Sequence, residues 1–213
     1  MQSLDRSRRN LAFALAALAG FADASGYLSA DRYFVSFMSG NTTRLGVELA
    51  TAPAQALIPL LLIACFVAGV IGGALLTSRR PGRHKPALLL AVAAVLAAAA
   101  AADFMRLPLL ALALLAAAMG ALNNSFQKDG QVSVGLTYMT GALVRMGQGI
   151  AARLTGNAAE GWGDWLRLWL ALTLGAALGA LGYAWLHVAV FWIASIWALC
   201  LAALARRIEL TRT

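Results

Sequence analysis

Apolar runs about as long as a bilayer is thick recur along this chain, and that limits its fold more than any other feature. A membrane-crossing helix needs ~20 mostly apolar residues. Stretches close to that length occupy residues 11–30, 54–77, 86–102, 109–126, 165–183 and 187–205. Only 12% of the residues are charged, against roughly 25% in a soluble domain. The expected fold is therefore all-α, a polytopic transmembrane helical bundle over residues 1–213. The net charge of +8 would suggest nucleic acid in a soluble protein. Here the basic residues sit in short clusters between apolar runs, as cytoplasm-facing loops do, so no nucleic-acid partner is expected.

The second constraint is internal repetition. Residues 37–50, FMSGNTTRLGVELA, return without a gap as residues 138–151, YMTGALVRMGQGIA, with Met38 on Met139, Gly40 on Gly141, Arg44 on Arg145 and Gly46 on Gly147. Gly20 and Asp23 correspond to Gly120 and Asn123, one residue out of step, and Gly69 and Gly73 to Gly175 and Gly179. Two repeats result, about 11–105 and 106–206. Glycines four apart let helix backbones approach, so Gly69, Gly73, Gly175 and Gly179 read as packing positions and also permit a homodimer.

Charge placement then fixes a topology. Arg6, Arg8 and Arg9 hold the N-terminus in the cytoplasm, and their apolar sequel, although laid out like a signal peptide, has an internal twin and belongs to the fold. The basic loop at residues 78–85, with Arg79, Arg80, Arg83 and Lys85, should also be cytoplasmic. That requires residues 33–50 to dip in and return to the side they entered from. The same count makes 134–151 re-entrant from the opposite face and leaves Arg206, Arg207 and Arg212 inside. Six crossings and two short broken or re-entrant segments give inverted halves. Full crossing by all eight segments would instead give parallel halves.

Enzyme signatures are missing: there is no nucleophile elbow, phosphate loop, paired-histidine helix or dinucleotide fingerprint. No catalysis, cofactor or metal is expected. Cys65 and Cys200 lie within apolar runs and read as small buried hydrophobes. His84 reads as solvated in the basic loop and His187 as interfacial, while Trp162, Trp165, Trp169, Trp185, Trp192 and Trp197 read mainly as interfacial anchors.

Polar groups inside the duplicated segments point to solute binding. If Ser39, Gly40, Asn41 and Thr42, and likewise Thr140 and Gly141, start half-helices, they present unpaired N–H groups and a positive dipole end within the membrane. Arg44 and Arg145, four residues beyond the glycines, would add donors suited to a carboxylate or phosphate. The competing reading is that these arginines reach the headgroups or pair with Asp23 or Glu48. Asn41, Thr42, Asn123 and Asn124 offer neutral hydrogen bonding to the same cavity, or hold helices together. Asp23, a carboxylate at membrane depth, is a candidate proton-coupling group, or else a helix-helix hydrogen bond.

At GFADASGYL, followed by FVSFMSGNTTRLGVELA, the chain resembles the YoaK family of bacterial multi-pass membrane proteins. Gly20, Asp23, Ala24, Gly26 and Tyr27, then Phe34, Met38, Ser39, Gly40, Asn41, Thr42 and Gly46, with Gly141, carry the likeness. The resemblance implies a bacterial inner-membrane location and brings no agreed substrate. The residues themselves lead to a small-solute transporter with an anionic solute between the repeated segments, with Asp23 as the candidate for proton coupling. The alternatives are a passive channel and a non-transporting scaffold or assembly protein.

Overall fold

The computed structural model describes residues 4–30, 32–78, 84–128, 131–157, 161–187 and 189–210. Asp31, Arg79, Arg80, Arg83, Asp129 and Arg212, on which part of the topology argument leaned, lie outside the described residues.

Eight α-helices follow in order: α1 (Arg6–Ser29), α2 (Met38–Thr51), α3 (Leu57–Ser78), α4 (Lys85–Phe104), α5 (Pro108–Leu122), α6 (Met139–Leu154), α7 (Trp162–Leu186) and α8 (Ala189–Leu210). Their ends follow from local chemistry. Asp5 caps α1 by accepting the Arg8 N–H at 2.8 Å. Prolines open α4 and α5, where a missing N–H costs nothing. After α5 the chain tightens into one 3-10 turn (Asn123–Ser125) and a minimal hairpin pairing β1 (Gln127–Lys128) with β2 (Gln131–Val132).

Six of these helices are long and apolar enough to cross a membrane: α1, α3, α4, α7, α8, and α5 counted through Ser125. The 14-residue α2 and 16-residue α6 are not among them. The polar character of the duplicated stretches therefore does give two short helices.

The longest seams join α1 to α7, α4 to α8 and α3 to α5. Glycine makes two of them possible. Gly175 and Gly179 lie against the backbone of Ala17 and Phe21, and Gly20 lies against Leu172 and Ala176. In the other seam Gly69 and Gly73 face Ala117 and Ala121, and Gly120 faces Phe66 and Val70. Both seams advance along the two chains together, so their helices run parallel. Packing was the expected role of these glycines. The sequence did not show that the first helix of each half would pack on the third helix of the other.

The α4–α8 seam is antiparallel: Lys85 pairs with Glu209 at 3.8 Å at one end, and the Ser195 hydroxyl donates to the Ala93 carbonyl at 2.9 Å near the middle. With short turns joining α4 to α5 and α7 to α8, α1, α4 and α7 run one way and α3, α5 and α8 the other. Arg9, Asp164, Lys85 and Glu209 consequently share one end of the bundle, where Asp164 accepts from both Arg9 and Arg167 at 3.2 Å.

Three expectations are corrected. His84 is not solvated: it is 7% exposed, against Lys85 and near Arg8, and burial together with these cations lowers its pKa. Cys200 lies on the exposed side of α8 rather than in the core, and Cys65 is half-buried; neither forms a disulfide. Trp197 is not an end anchor, because it packs edge-on against Phe21 at 5.7 Å between ring centres.

Candidate functional site

Residues 32–37 form a non-helical leg of turn and bends alongside α1, and its backbone groups find partners that a helix would have supplied internally. The Asp23 carboxylate Oδ1 accepts the N–H groups of Val35 and Ser36, both at 2.8 Å. Fully buried Asn41 bonds both peptide groups of Phe34, accepting its N–H at 3.1 Å and donating to its carbonyl at 2.7 Å. Buried aromatic and β-branched residues, Tyr33 and Val35, complete the leg. The chain thus doubles back beside α1 before α2 begins at Met38.

The leg before α6 is held by different chemistry. Ser133 N–H donates to Phe126 at 2.8 Å, extending the hairpin. Buried Thr137 exchanges hydrogen bonds with Asn123, at 3.1 Å from Asn123 Nδ2 and 3.3 Å to its Oδ1. Asp23 and Asn123 therefore secure the entries to α2 and α6, one through backbone N–H groups and the other through a hydroxyl.

Both short helices begin at one cavity of 340 Å³, lined by Ser36, Phe37, Met38 and Ser39, by Thr137, Tyr138, Met139, Thr140 and Gly141, and by Phe66 of α3. Apart from Phe66 the lining is the same pattern twice: hydroxyl, aromatic, Met, hydroxyl, with glycine next. Every lining side chain is uncharged. Helix starts leave donors over. Among the described residues, no carbonyl accepts the N–H of Ser39, Thr140 or Gly141, whereas Gly40, Asn41 and Ala142 donate to Phe37 or Tyr138. A Cβ built on Gly141 would meet nothing within 4 Å. Such a cavity suits a small solute that carries hydrogen-bond acceptors and some apolar surface.

Of the expected binding residues, Ser39, Thr140 and Gly141 line this cavity and Gly40 adjoins it. Asp23 lies behind the wall, bonded to Ser36. Asn41 and Thr42 are spent on the backbone, the Thr42 hydroxyl donating to Met38 at 2.9 Å. Asn124 donates to the Val70 carbonyl of α3 at 3.1 Å and accepts from Gln127 at 2.7 Å, as a residue joining helices does.

The two arginines are outside the lining. Arg44 donates to Glu48 at 3.0 and 3.2 Å and to the Arg32 carbonyl at 2.6 Å, and stacks 3.7 Å over the Tyr33 ring. Of the readings open for it, pairing with Glu48 is the one realised. Arg145 lies 5.0 Å over the Trp165 ring.

The repeat marks Met38 and Met139 as partners but not as lining, and singles out none of Ser36, Phe37, Thr137, Tyr138 and Phe66. Extending the repeat back by one position, Ser36 onto Thr137, finds the hydroxyl pair; nothing in the local sequence marks Phe66.

A family model described as a protein of unknown function (DUF1275) matches residues 11–204. The chain is similar, 38% identical over 211 residues, to a UPF0700 transmembrane protein of Rhizobium meliloti (strain 1021), covering 96% of this chain and 91% of that one. No solved structure matches. These matches agree with the resemblance carried by GFADASGYL and FMSGNTTRLGVELA, and the chain belongs to the DUF1275 family of multi-pass membrane proteins.

Proposed function

We propose that this protein is a small-solute transporter of the bacterial inner membrane that binds an anion, or a solute with an anionic group, between the starts of α2 and α6. The observation that carries this reading is the shared cavity, where two helix N-termini meet a duplicated hydroxyl lining without a carboxylate in the wall. Helix starts favour negative charge through their free N–H groups and dipole. The solute is held by Ser39, Thr140 and the spare N–H groups rather than by Arg44 and Arg145, and Asp23 links binding to proton movement.

The opposite directions of α1 and α5, of α3 and α7, and of α4 and α8 support an inverted repeat in which α2 and α6 are re-entrant from opposite faces. Arg6, Arg8, Arg9, Lys85, Arg167, Arg206 and Arg207 belong to the same end of the bundle. By the positive-inside rule that end, with both termini, is cytoplasmic.

Uptake of radiolabelled nitrate and butyrate into proteoliposomes tests the proposal. Saturable uptake is expected, and Gly141→Leu should abolish it without lowering the melting temperature, since a Cβ at Gly141 meets nothing within 4 Å. Unsaturable flux would favour a channel. A wild-type protein that moves neither anion, while Gly141→Leu retains its full cellular effect, would favour a scaffold.

A further inference from the structure

We infer that the Phe66 ring sets the length of solute the cavity accepts, as the wall against which an aliphatic tail stops. Its role rests on the transport reading above and deepens it, because it selects among the anions that the helix starts admit.

A wall limits size only where a side chain can neither bend nor swing aside. Five large side chains line the cavity: Phe37, Met38, Phe66, Tyr138 and Met139. The two methionines are unbranched and adapt to whatever they touch. Phe37 and Tyr138 are 42% and 58% exposed, so their rings have room to turn outward. Phe66 is 8% exposed and belongs to the hydrophobic core. Of the five it alone is both large and held.

The backbone beneath the ring is fixed as well. Gly120 of α5 lies so close to the Phe66 carbonyl that a Cβ there would overlap it, and Val70, one turn on, borders the same glycine. α3 cannot carry the ring away from the cavity without opening this seam. A tail that reaches Phe66 therefore meets a close-packed core that does not yield.

The other half of the chain supplies no such stop. Gly20 lies against Leu172 and Ala176 as Gly120 lies against Phe66 and Val70, which makes Leu172 the twin of Phe66. Leu172 does not line the cavity. The charged group of a solute is taken by the hydroxyls and spare N–H groups at the starts of α2 and α6, and its apolar part is left to the ring.

The experiment is inhibition of radiolabelled nitrate or butyrate uptake into proteoliposomes by unlabelled straight-chain monocarboxylates from acetate to octanoate. In wild type each added methylene should tighten inhibition about fourfold until the tail meets Phe66, after which the gain stops. Phe66→Ala should move that limit outward, tightening the acid two methylenes beyond it by about tenfold. Phe66→Leu installs the residue its twin already carries and serves should the alanine variant fail to fold; it should tighten the same acid by about threefold. Nitrate has no tail, so its own half-saturation should stay within about threefold in every variant. Leu172→Ala, the same truncation outside the cavity, should leave the limit where it was. A damaged fold weakens binding, so a gain for long acids alone is not an effect that lost packing produces. Inhibition by no acid, a gain that continues through octanoate in wild type, a limit unmoved in both Phe66 variants, or one moved as far by Leu172→Ala would overturn the role of Phe66 while leaving an anion transporter standing. Wild type that takes up neither nitrate nor butyrate would overturn both.

Discussion

Replacing Gly175 by Ala places one methyl group in the seam between α1 and α7, and its cost can be worked from the packing. The added Cβ would overlap the Ala17 carbonyl oxygen and lie 2.6 Å from its carbon and 2.8 Å from its Cα. Ordinary contact begins at 3.4 Å, so the helices must part by about 1 Å. These are backbone atoms, so no rotamer change relieves the clash. Overpacking of this kind costs about 1–3 kcal/mol, and separating the seam also forfeits dispersion contacts along it. Better helix propensity returns at most about 1 kcal/mol. For a chain of this length a net 2 kcal/mol lowers the melting temperature by about 4–8 °C. Gly69→Ala should do the same, because its Cβ would meet Ala117 in the same way, whereas Gly46→Ala, with nothing within 4 Å, should leave the melting temperature unchanged or slightly raised. Tryptophan fluorescence during heating in detergent measures all three. Equal melting temperatures for Gly175→Ala and Gly46→Ala would refute the close-packed seam.

Two further outcomes are expected. Arg44→Gln strips a mostly buried Glu48 carboxylate of its cation and should cost about 1–3 kcal/mol, the lower figure favoured because Arg44 is 30% exposed; adding Glu48→Gln should recover most of the melting temperature, and butyrate affinity should be unchanged in both. Burial and the nearby cations Lys85 and Arg8 hold His84 below its ordinary pKa, so the folded chain binds fewer protons there than the unfolded chain. Stability should be intact above about pH 6.5 and decline by up to about 1.4 kcal/mol per unit as pH falls from there toward the folded pKa, a slope that His84→Gln should flatten in melting curves taken between about pH 7.5 and 5.5.

Hydrophobic run length made the six long helices legible, and the duplicated Met, Gly and hydroxyl pattern marked the two short ones. Similar segments reveal which parts are alike, not which parts touch. The exchange of partners, Gly175 on Ala17 and Gly69 on Ala117, depends on the direction of every intervening helix. Cavity-lining positions were legible where backbone conformation sets them, at Ser39, Thr140 and Gly141. The sequence left alternatives open where a long flexible side chain chooses among neighbours. Spacing puts Arg44 one turn from Gly40, but Glu48 stands one turn further on, and a carboxylate there captures the guanidinium at 3.0 Å. His84 looked wet because its sequence neighbours are basic, and burial by Lys85 and the helix ends overrode that.

The exchange of partners has a bearing on how the protein is made. Arg9 meets Asp164 across 155 positions, and the Gly20 face of the first helix is covered by residues that reach the membrane equally late. Until the seventh helix is synthesised, the first must wait in lipid with its glycine groove bare, so neither half can settle without the other and assembly is completed only near the end of translation.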